Sequence, residues 1–248
     1  MDASVPRFCL GAGAAFGFVL PVCVLLWWRR KRHGKLLPCL VGALTWFVFA
    51  AVLEPLLHRA CLLPDHALSR ALNANPYLYM LYGGLAAGVF EETGRYVAFR
   101  WLLRANRFPG RDTAVTYGIG HGGVESMLTL GLGYAALYLT SAAGENPALL
   151  ADAVGAITPA VVMAAMLERV SAMILHIALS CFVFLAVRGK GQWTWFPFAI
   201  LLHAMADMPA VLYQRGVLPL WPVELWMLVV ALFSLYSARK QYLEEMDL

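Results

Sequence analysis

The fold is decided by the stretch Val89-Phe90-Glu91-Glu92-Thr93-Gly94-Arg95. It lies inside an otherwise apolar run from Tyr77 to Leu103, which is long enough to cross a bilayer as a helix. Ionisable side chains are costly in the hydrocarbon core, and they face the interior of a helix bundle or a water-filled cavity. The stretch therefore predicts a membrane helix whose two carboxylates and one guanidinium mark a functional site.

The composition is that of a membrane protein. The chain has 248 residues, of which 61% are hydrophobic and 14% are charged, and its mean hydropathy is +0.67. Ordinary soluble domains carry about 25% charged residues. We therefore expect a multi-pass protein of the plasma or inner membrane, in contact with lipid. The net charge of +4 does not indicate a nucleic-acid partner.

Seven apolar segments predict an all-α bundle of about seven transmembrane helices. No linker divides the chain, so residues 1–248 are expected to form a single integral membrane domain. An odd number of spans places the two termini on opposite sides of the membrane. The segments are approximately residues 8–28, 36–57, 77–103, 113–140, 159–187, 193–213 and 218–236, with a loop through Glu145, Asn146 and Asp152 before the fifth.

Lysine and arginine predict the orientation of these spans. Twelve of them lie on one side, within residues 29–35, 104–111, 188–190 and 239–240, and four lie on the other. Short cytoplasmic connections carry the excess of these two residues. The amino terminus is therefore predicted to lie outside and the carboxyl terminus in the cytoplasm.

Four predicted spans carry an ionisable residue at a similar depth. Glu92, His121, His176 and His203 each lie 10 to 12 residues from the cytoplasmic end of their span. At a helical rise of about 1.5 Å per residue, the common depth is roughly 15 to 18 Å. We therefore expect these side chains to meet near the middle of the bilayer.

This set of side chains is typical of a hydrolytic metal site. Three neutral imidazoles, those of His121, His176 and His203, suit a divalent ion such as Zn²⁺ and leave one position for water. The metal would activate that water, and a nearby glutamate would accept its proton during attack on a carbonyl group. The pattern predicts metal-assisted hydrolysis of a peptide bond inside the membrane.

The role of each glutamate in the pair is left open by the spacing. On a helical wheel Arg95 lies roughly 40° from Glu91 and 60° from Glu92, between the two. Arg95 is therefore able to neutralise either carboxylate. Either Glu91 or Glu92 is predicted to be the base, and the other to be its structural partner.

Two further carboxylates share a helix face with a histidine. Glu125 follows His121 by four residues, and Asp207 follows His203 by four. Each is expected to orient the imidazole or to bind the metal itself. The glycines that surround His121 are expected to admit a neighbouring helix or a substrate backbone.

Four motifs, in this order, resemble the YhfC family of intramembrane metalloproteases. The resemblance covers most of the chain and implies a multi-pass fold and a metal-dependent endopeptidase acting on a membrane-embedded or membrane-associated peptide or protein. The motifs are Glu91-Glu92-Thr93-Gly94-Arg95, Gly118-Ile119-Gly120-His121-Gly122-Gly123-Val124-Glu125, Glu168-Arg169 with His176, and His203-Ala204-Met205-Ala206-Asp207.

More distantly, the chain is similar to the CAAX-processing and bacteriocin-immunity proteases. Tyr117 precedes His121 by four residues, as that pattern requires, but Arg95 follows Glu92 by three residues where the pattern has four. Because that superfamily includes scaffold proteins without proteolytic activity, a second hypothesis stands beside the first. It is a scaffold, or an ion-coupled or proton-coupled transporter, that uses the same polar residues. The sequence predicts no particular oligomeric state.

Overall fold

The computed structural model describes residues 4–110, 112–143, 154–189 and 191–246. Within these ranges the protein is helical, and no strand is present. The loop predicted through Glu145, Asn146 and Asp152 lies outside the described residues. The helices are α1 (Ser4–Arg32), α2 (Leu36–Leu62), α3 (Ala67–Ala74), α4 (Pro76–Leu102), α5 (residues 112–143), α6 (Pro159–Arg188), α7 (Trp195–Gln214) and α8 (Leu220–Met246).

Five of the helices are long and apolar enough to cross a membrane, namely α1, α2, α6, α7 and α8. Helices α4 and α5 match the third and fourth predicted spans in position, but they are less apolar because they contain the charged and glycine-rich motifs. The all-helical class and a multi-pass arrangement are thus established. The count of seven spans and the orientation of the termini stay predictions.

Helix α6 is the centre of the bundle. It packs against α1, α4, α5, α7 and α8, and 78% of its most apolar 18-residue window is buried. The other four candidate spans bury only 22% to 33% of theirs, because one face of each is open. Their open faces carry large apolar side chains such as Leu40, Leu201 and Leu225, which suit contact with lipid.

Glycines in α5 allow the neighbouring helices to approach closely. A Cβ atom at Gly120 would lie 1.9 Å from the carbonyl oxygen of Cys39 in α2. On another face, a Cβ atom at Gly118 would lie 2.6 Å from the Cα atom of Ile177 in α6. At both positions the glycines around His121 therefore admit a neighbouring helix, which is one of the two expected uses.

Two prolines inside helices leave backbone carbonyls without their usual donors, and side chains of other helices satisfy them. Pro21 in α1 has no N–H group for the oxygen of Gly17, and the Ser126 hydroxyl donates to that oxygen at 3.1 Å. In α7, Pro209 has no N–H group for the oxygen of Met205, and the Trp226 indole donates to that oxygen at 2.7 Å. Side-chain donors are needed at such carbonyl oxygens because no water is present in the hydrocarbon core to donate to them.

Three local features were not predicted from the sequence. A short helix, α3, forms within the polar connection after α2. Two helices also contain a π-helical segment, at Phe47–Leu53 in α2 and at Met127–Leu132 in α5. π-helical turns are frequent at functional sites. The segment in α5 begins directly after the turn that carries His121 and Glu125.

Candidate functional site

The predicted site residues of four helices lie together at the centre of the bundle. Helix α4 supplies the Glu91–Glu92 pair and Arg95, while α5, α6 and α7 each supply one histidine. The ring centroids of His121 and His176 are 4.7 Å apart, and those of His176 and His203 are 5.4 Å apart. All of these residues are buried. The structure therefore brings the glutamate pair and the three imidazoles into one cluster.

Glu92 is held on both sides of its carboxylate. One oxygen, Oε2, forms an ion pair with Arg95 Nε at 3.1 Å, and both side chains are fully buried. The other oxygen, Oε1, lies 2.7 Å from Nδ1 of His203. The partner of the Arg95 ion pair, which the spacing had left open, is therefore Glu92, and this carboxylate has no oxygen free for a substrate.

Glu91 faces the imidazoles. Its Oε2 lies 2.8 Å from Nε2 of His121 and 3.8 Å from Nε2 of His203. Glu91 retains a relative exposure of 7%, whereas Glu92 retains none. Of the two glutamates, Glu91 is therefore the one whose oxygen lies between imidazole nitrogens and is not held by a guanidinium.

Arg95 crosslinks α4 to the two neighbouring helices. Its Nη1 donates to the carbonyl oxygen of His176 at 2.7 Å and to the Ser180 hydroxyl at 2.8 Å. Its Nη2 lies 3.2 Å from Nε2 of His121 and 3.2 Å from Nδ1 of His176. Sequence reasoning missed Ser180, although a polar residue four positions after His176, on the same face of an apolar helix, was a usable signal.

The contacts of His176 define its tautomer. A guanidinium only donates, so Nδ1 of His176 accepts from Arg95 and the ring hydrogen is on Nε2. That Nε2 donates to Glu125 Oε2 at 2.6 Å. The sequence had placed Glu125 beside His121 on α5, but its carboxylate is directed to His176 on α6.

Glu125 is itself anchored by Arg169. The guanidinium donates to Glu125 Oε1 at 2.8 Å and to the Thr129 hydroxyl at 3.0 Å, and it also contacts Glu168. Because Arg169 holds the Glu125 carboxylate in place, the hydrogen bond from His176 to Glu125 fixes the orientation of the His176 ring. The supporting role of Glu125 stays a prediction.

Asp207 contacts His203 as its spacing predicted. Its Oδ2 lies 3.3 Å from Nε2 of His203. The imidazole thus has a carboxylate near each ring nitrogen, with Glu92 at Nδ1. Asp207 is the more accessible of the two, since its side chain is 33% exposed whereas that of Glu92 is fully buried.

The residues present fit a divalent metal ion. Glu91, His121 and His176 each place one donor atom within 4.8 Å of the other two. Around Zn²⁺, with bonds of about 2.0–2.1 Å, tetrahedral ligand atoms lie about 3.4 Å apart, so a small inward movement would suffice. Metal-binding histidines commonly donate their second ring N–H group to a carboxylate. The hydrogen bond from His176 to Glu125 has this form.

His203 and Arg95 adjoin this donor group. His203 is not part of the three-residue group, but the same arrangement recurs there, because Glu92 lies beside Nδ1 and leaves Nε2 directed to Glu91 and Asp207. The positive charge of Arg95 lies near the imidazoles of His121 and His176, and its ion pair with Glu92 offsets that charge.

Comparison with known proteins shows the family of the chain. The family "YhfC intramembrane metalloprotease" matches residues 16–231, which include every residue of the cluster. A protein of Bacillus subtilis (strain 168), named "Uncharacterized membrane protein YhfC", is 33% identical over 243 residues, covering 92% of this chain and 93% of the relative. No solved structure matches the chain. The chain therefore belongs to the YhfC family and is a multi-pass membrane protein.

Proposed function

We propose that the protein is an intramembrane metallopeptidase that hydrolyses a peptide bond of a membrane-embedded or membrane-associated substrate. The observation that carries the proposal is the position of the Glu91 carboxylate. Its oxygen Oε2 is buried and lies 2.8 Å from His121 Nε2 and 3.8 Å from His203 Nε2. A carboxylate beside imidazole nitrogens, inside a lipid-spanning bundle, is suited to accept a proton from water.

In this proposal His121, His176 and His203 hold a divalent ion, for which Zn²⁺ is the first candidate. Glu125 supports the proposed role of His176, because it accepts the hydrogen of Nε2 and leaves the lone pair of Nδ1 to bind the metal in place of its contact with Arg95. Glu92 supports that of His203 in the same way through Nδ1. A bound ion supplies Lewis acidity, which activates water and polarises a carbonyl group.

The two glutamates then have different roles. Glu91 is the proposed base and accepts the proton of the attacking water. Glu92 is the proposed structural partner, because Arg95 and His203 engage its two oxygens. Asp207 lies beside Nε2 of His203 on the more open side of the cluster, where a substrate would approach.

The proposed topology has seven spans, with α4 and α5 crossing the membrane beside the five apolar helices. Their polar residues are directed to the centre of the bundle, as buried intramembrane charges require. The positive-inside rule then places the amino terminus outside and the carboxyl terminus in the cytoplasm.

The first test is elemental analysis of the purified protein together with two variants. We expect about one divalent ion per chain, retained in Glu91→Gln and lost in a His121→Ala, His176→Ala double variant. New protein amino termini in membranes that contain the wild-type protein, detected by N-terminal peptide mass spectrometry, should be missing with Glu91→Gln. Asp65→Asn changes an exposed carboxylate that pairs with Arg70 away from the cluster, and it should leave the termini unchanged.

The second candidate is a proton-coupled transporter or a scaffold. Short contacts link Glu92, His203 and Asp207 in series, as in a proton relay. If the purified protein holds no ion and produces no new amino termini, the metallopeptidase is excluded. Proton flux into liposomes that contain the protein, lost in Asp207→Asn, would then support the transporter, and the absence of flux would support the scaffold.

A further inference from the structure

A cavity lies beside the imidazole cluster, between α6, α7 and α8. Its volume is about 250 Å³, far more than the space that one water molecule needs. It lies at the end of the bundle formed by the start of α6, the end of α7 and the start of α8. That end is on the outer side in the proposed topology. The cavity is lined in part by Val161, Ala165, Ala210, Tyr213, Val223 and Met227.

Three carboxylates line this cavity. They are Glu168, Asp207 and Glu224, and no lysine, arginine or histidine is among the twelve lining residues. Arg169 contacts Glu168, but it also pairs with Glu125, so its single charge is shared. The cavity therefore has an excess of negative charge between helices that are long and apolar enough to cross the membrane, and such charge is costly there.

Glu224 is the residue that indicates a ligand. It retains a relative exposure of 6%, and its Oε2 has no hydrogen-bond partner among the residues that the structure describes. A buried carboxylate oxygen without a partner is expensive, and native proteins rarely retain one without a functional reason. A positively charged donor inside the cavity would satisfy this oxygen.

The arrangement favours an organic cation over a metal ion. In the described part of the chain, one group of three donor residues lies within 4.8 Å, and it is the Glu91 group, so the three cavity carboxylates are spread more widely. The remaining wall is largely apolar. Spread carboxylates on an apolar wall suit a long side chain that has a charged head and an alkyl stem.

We infer that this cavity binds the side chain of a lysine or arginine in a peptide substrate, and so selects substrates that carry a basic residue beside the bond to be cleaved. Asp207 connects the two sites, because it lines the cavity and its Oδ2 lies 3.3 Å from His203 Nε2. His203 is in turn 3.8 Å from the Glu91 oxygen. The assignment of a substrate class rests on the proposed function, whereas binding of the basic side chain does not.

The test is a binding measurement on the full-length protein in lipid nanodiscs. The probes are two apolar transmembrane peptides that are identical except for a lysine or an uncharged norleucine near the outer end. We expect the lysine peptide to bind about tenfold or more tightly, as for a charged hydrogen bond in a buried site. Glu224→Gln should reduce this ratio towards one, and Glu224→Asp, which keeps the charge, should retain most of it.

Other results would overturn the inference. Equal binding of the two peptides excludes a basic-residue site, and so does a lysine preference that Glu224→Gln leaves unchanged in a protein that melts like the wild type. Butylammonium that binds as tightly as the lysine peptide would identify a site for small amines. Stoichiometric Mg²⁺ or Ca²⁺ that is lost in Glu224→Gln would identify a metal site.

The same measurement separates the inference from the proposed function. Binding is measured without cleavage, and it should persist in Glu91→Gln. A lysine preference in a protein that holds no metal would contradict the metallopeptidase and leave the binding site intact. Cleavage of both peptides at equal rates and with equal affinity would support the metallopeptidase and overturn the binding site.

Discussion

Replacement of Arg95 by methionine should remove the group that holds α4, α5 and α6 together around the site. Arg95 is fully buried and forms an ion pair with Glu92 at 3.1 Å. The substitution also removes the two hydrogen bonds that Nη1 donates, at 2.7 Å to the carbonyl oxygen of His176 and at 2.8 Å to the Ser180 hydroxyl. Breaking one partner of a buried ion pair costs about 3–5 kcal/mol, because the other charge is left uncompensated. We expect the free energy of unfolding to fall by that amount.

A double-mutant cycle tests which glutamate depends on Arg95. Glu92→Gln and Arg95→Met change groups in direct contact, so their combined cost should be smaller than the sum of the single costs, by up to about 3 kcal/mol. Glu91→Gln with Arg95→Met should show a clearly smaller coupling, because these two side chains meet only through Nε2 of His121. Arg95→Lys is the matched control, since it keeps the charge but loses the planar arrangement of donors.

The assay is reversible unfolding in mixed micelles, followed by tryptophan fluorescence, with a chelator present so that metal binding does not add to stability. A cost below about 1 kcal/mol for Arg95→Met would contradict the buried ion pair. Equal coupling of Arg95 to both glutamates would contradict the assignment of Glu92 as its partner and, with it, the choice of Glu91 as the base.

Two further predictions concern the contacts between helices, and the same unfolding assay measures both. Gly120→Ala should lower stability strongly, because its Cβ would lie 1.9 Å from a carbonyl oxygen of α2, whereas Gly133→Ala, with nothing within 4 Å, should not. Trp226→Phe should cost about 1–3 kcal/mol, because the oxygen of Met205 loses its donor. Pro209→Ala in that background should recover much of the loss by restoring a backbone N–H group, and no recovery would contradict the explanation.

The sequence could predict that the site residues lie close together, because this depends mainly on one quantity, the depth of each residue along its helix. The rise of a helix is fixed, so the number of residues between the predicted cytoplasmic end of a span and a polar side chain gives the depth of that side chain. Glu92, His121, His176 and His203 have nearly the same count, and in the structure they form one cluster.

Rotation of each helix about its own axis could not be anticipated in this way. Arg95 is nearer in wheel angle to Glu91, yet it pairs with Glu92, because the packing of α4 turns Glu91 towards His121. Glu125 is directed to His176 on another helix for the same reason. The rotation depends on where the glycines of α5 let α2 and α6 approach, and this is a property of the assembled bundle.

Glu224 was missed for a different reason. It lies in the seventh predicted span, and the rule that marked Glu91 and Glu92 applied equally to it. No histidine or acidic residue lies three or four positions from Glu224 in the sequence, so no motif marked it as part of a site. Only the packing of α8 against α6 and α7 shows that its carboxylate shares a cavity with Glu168 and Asp207.

From the charges of the cluster and the cavity together, we expect the function of this protein to depend on cations. Buried carboxylates must be paired with cations or take up protons, because their desolvation is otherwise too costly. Six carboxylates lie in the cluster and the cavity. Within the described residues, two guanidinium groups, those of Arg95 and Arg169, contact this region, so the carboxylates exceed the guanidinium groups by four. A metallopeptidase offsets part of this excess with a divalent ion and a basic substrate side chain, whereas a transporter offsets it with protons alone. The six carboxylates are those of Glu91, Glu92, Glu125, Glu168, Asp207 and Glu224.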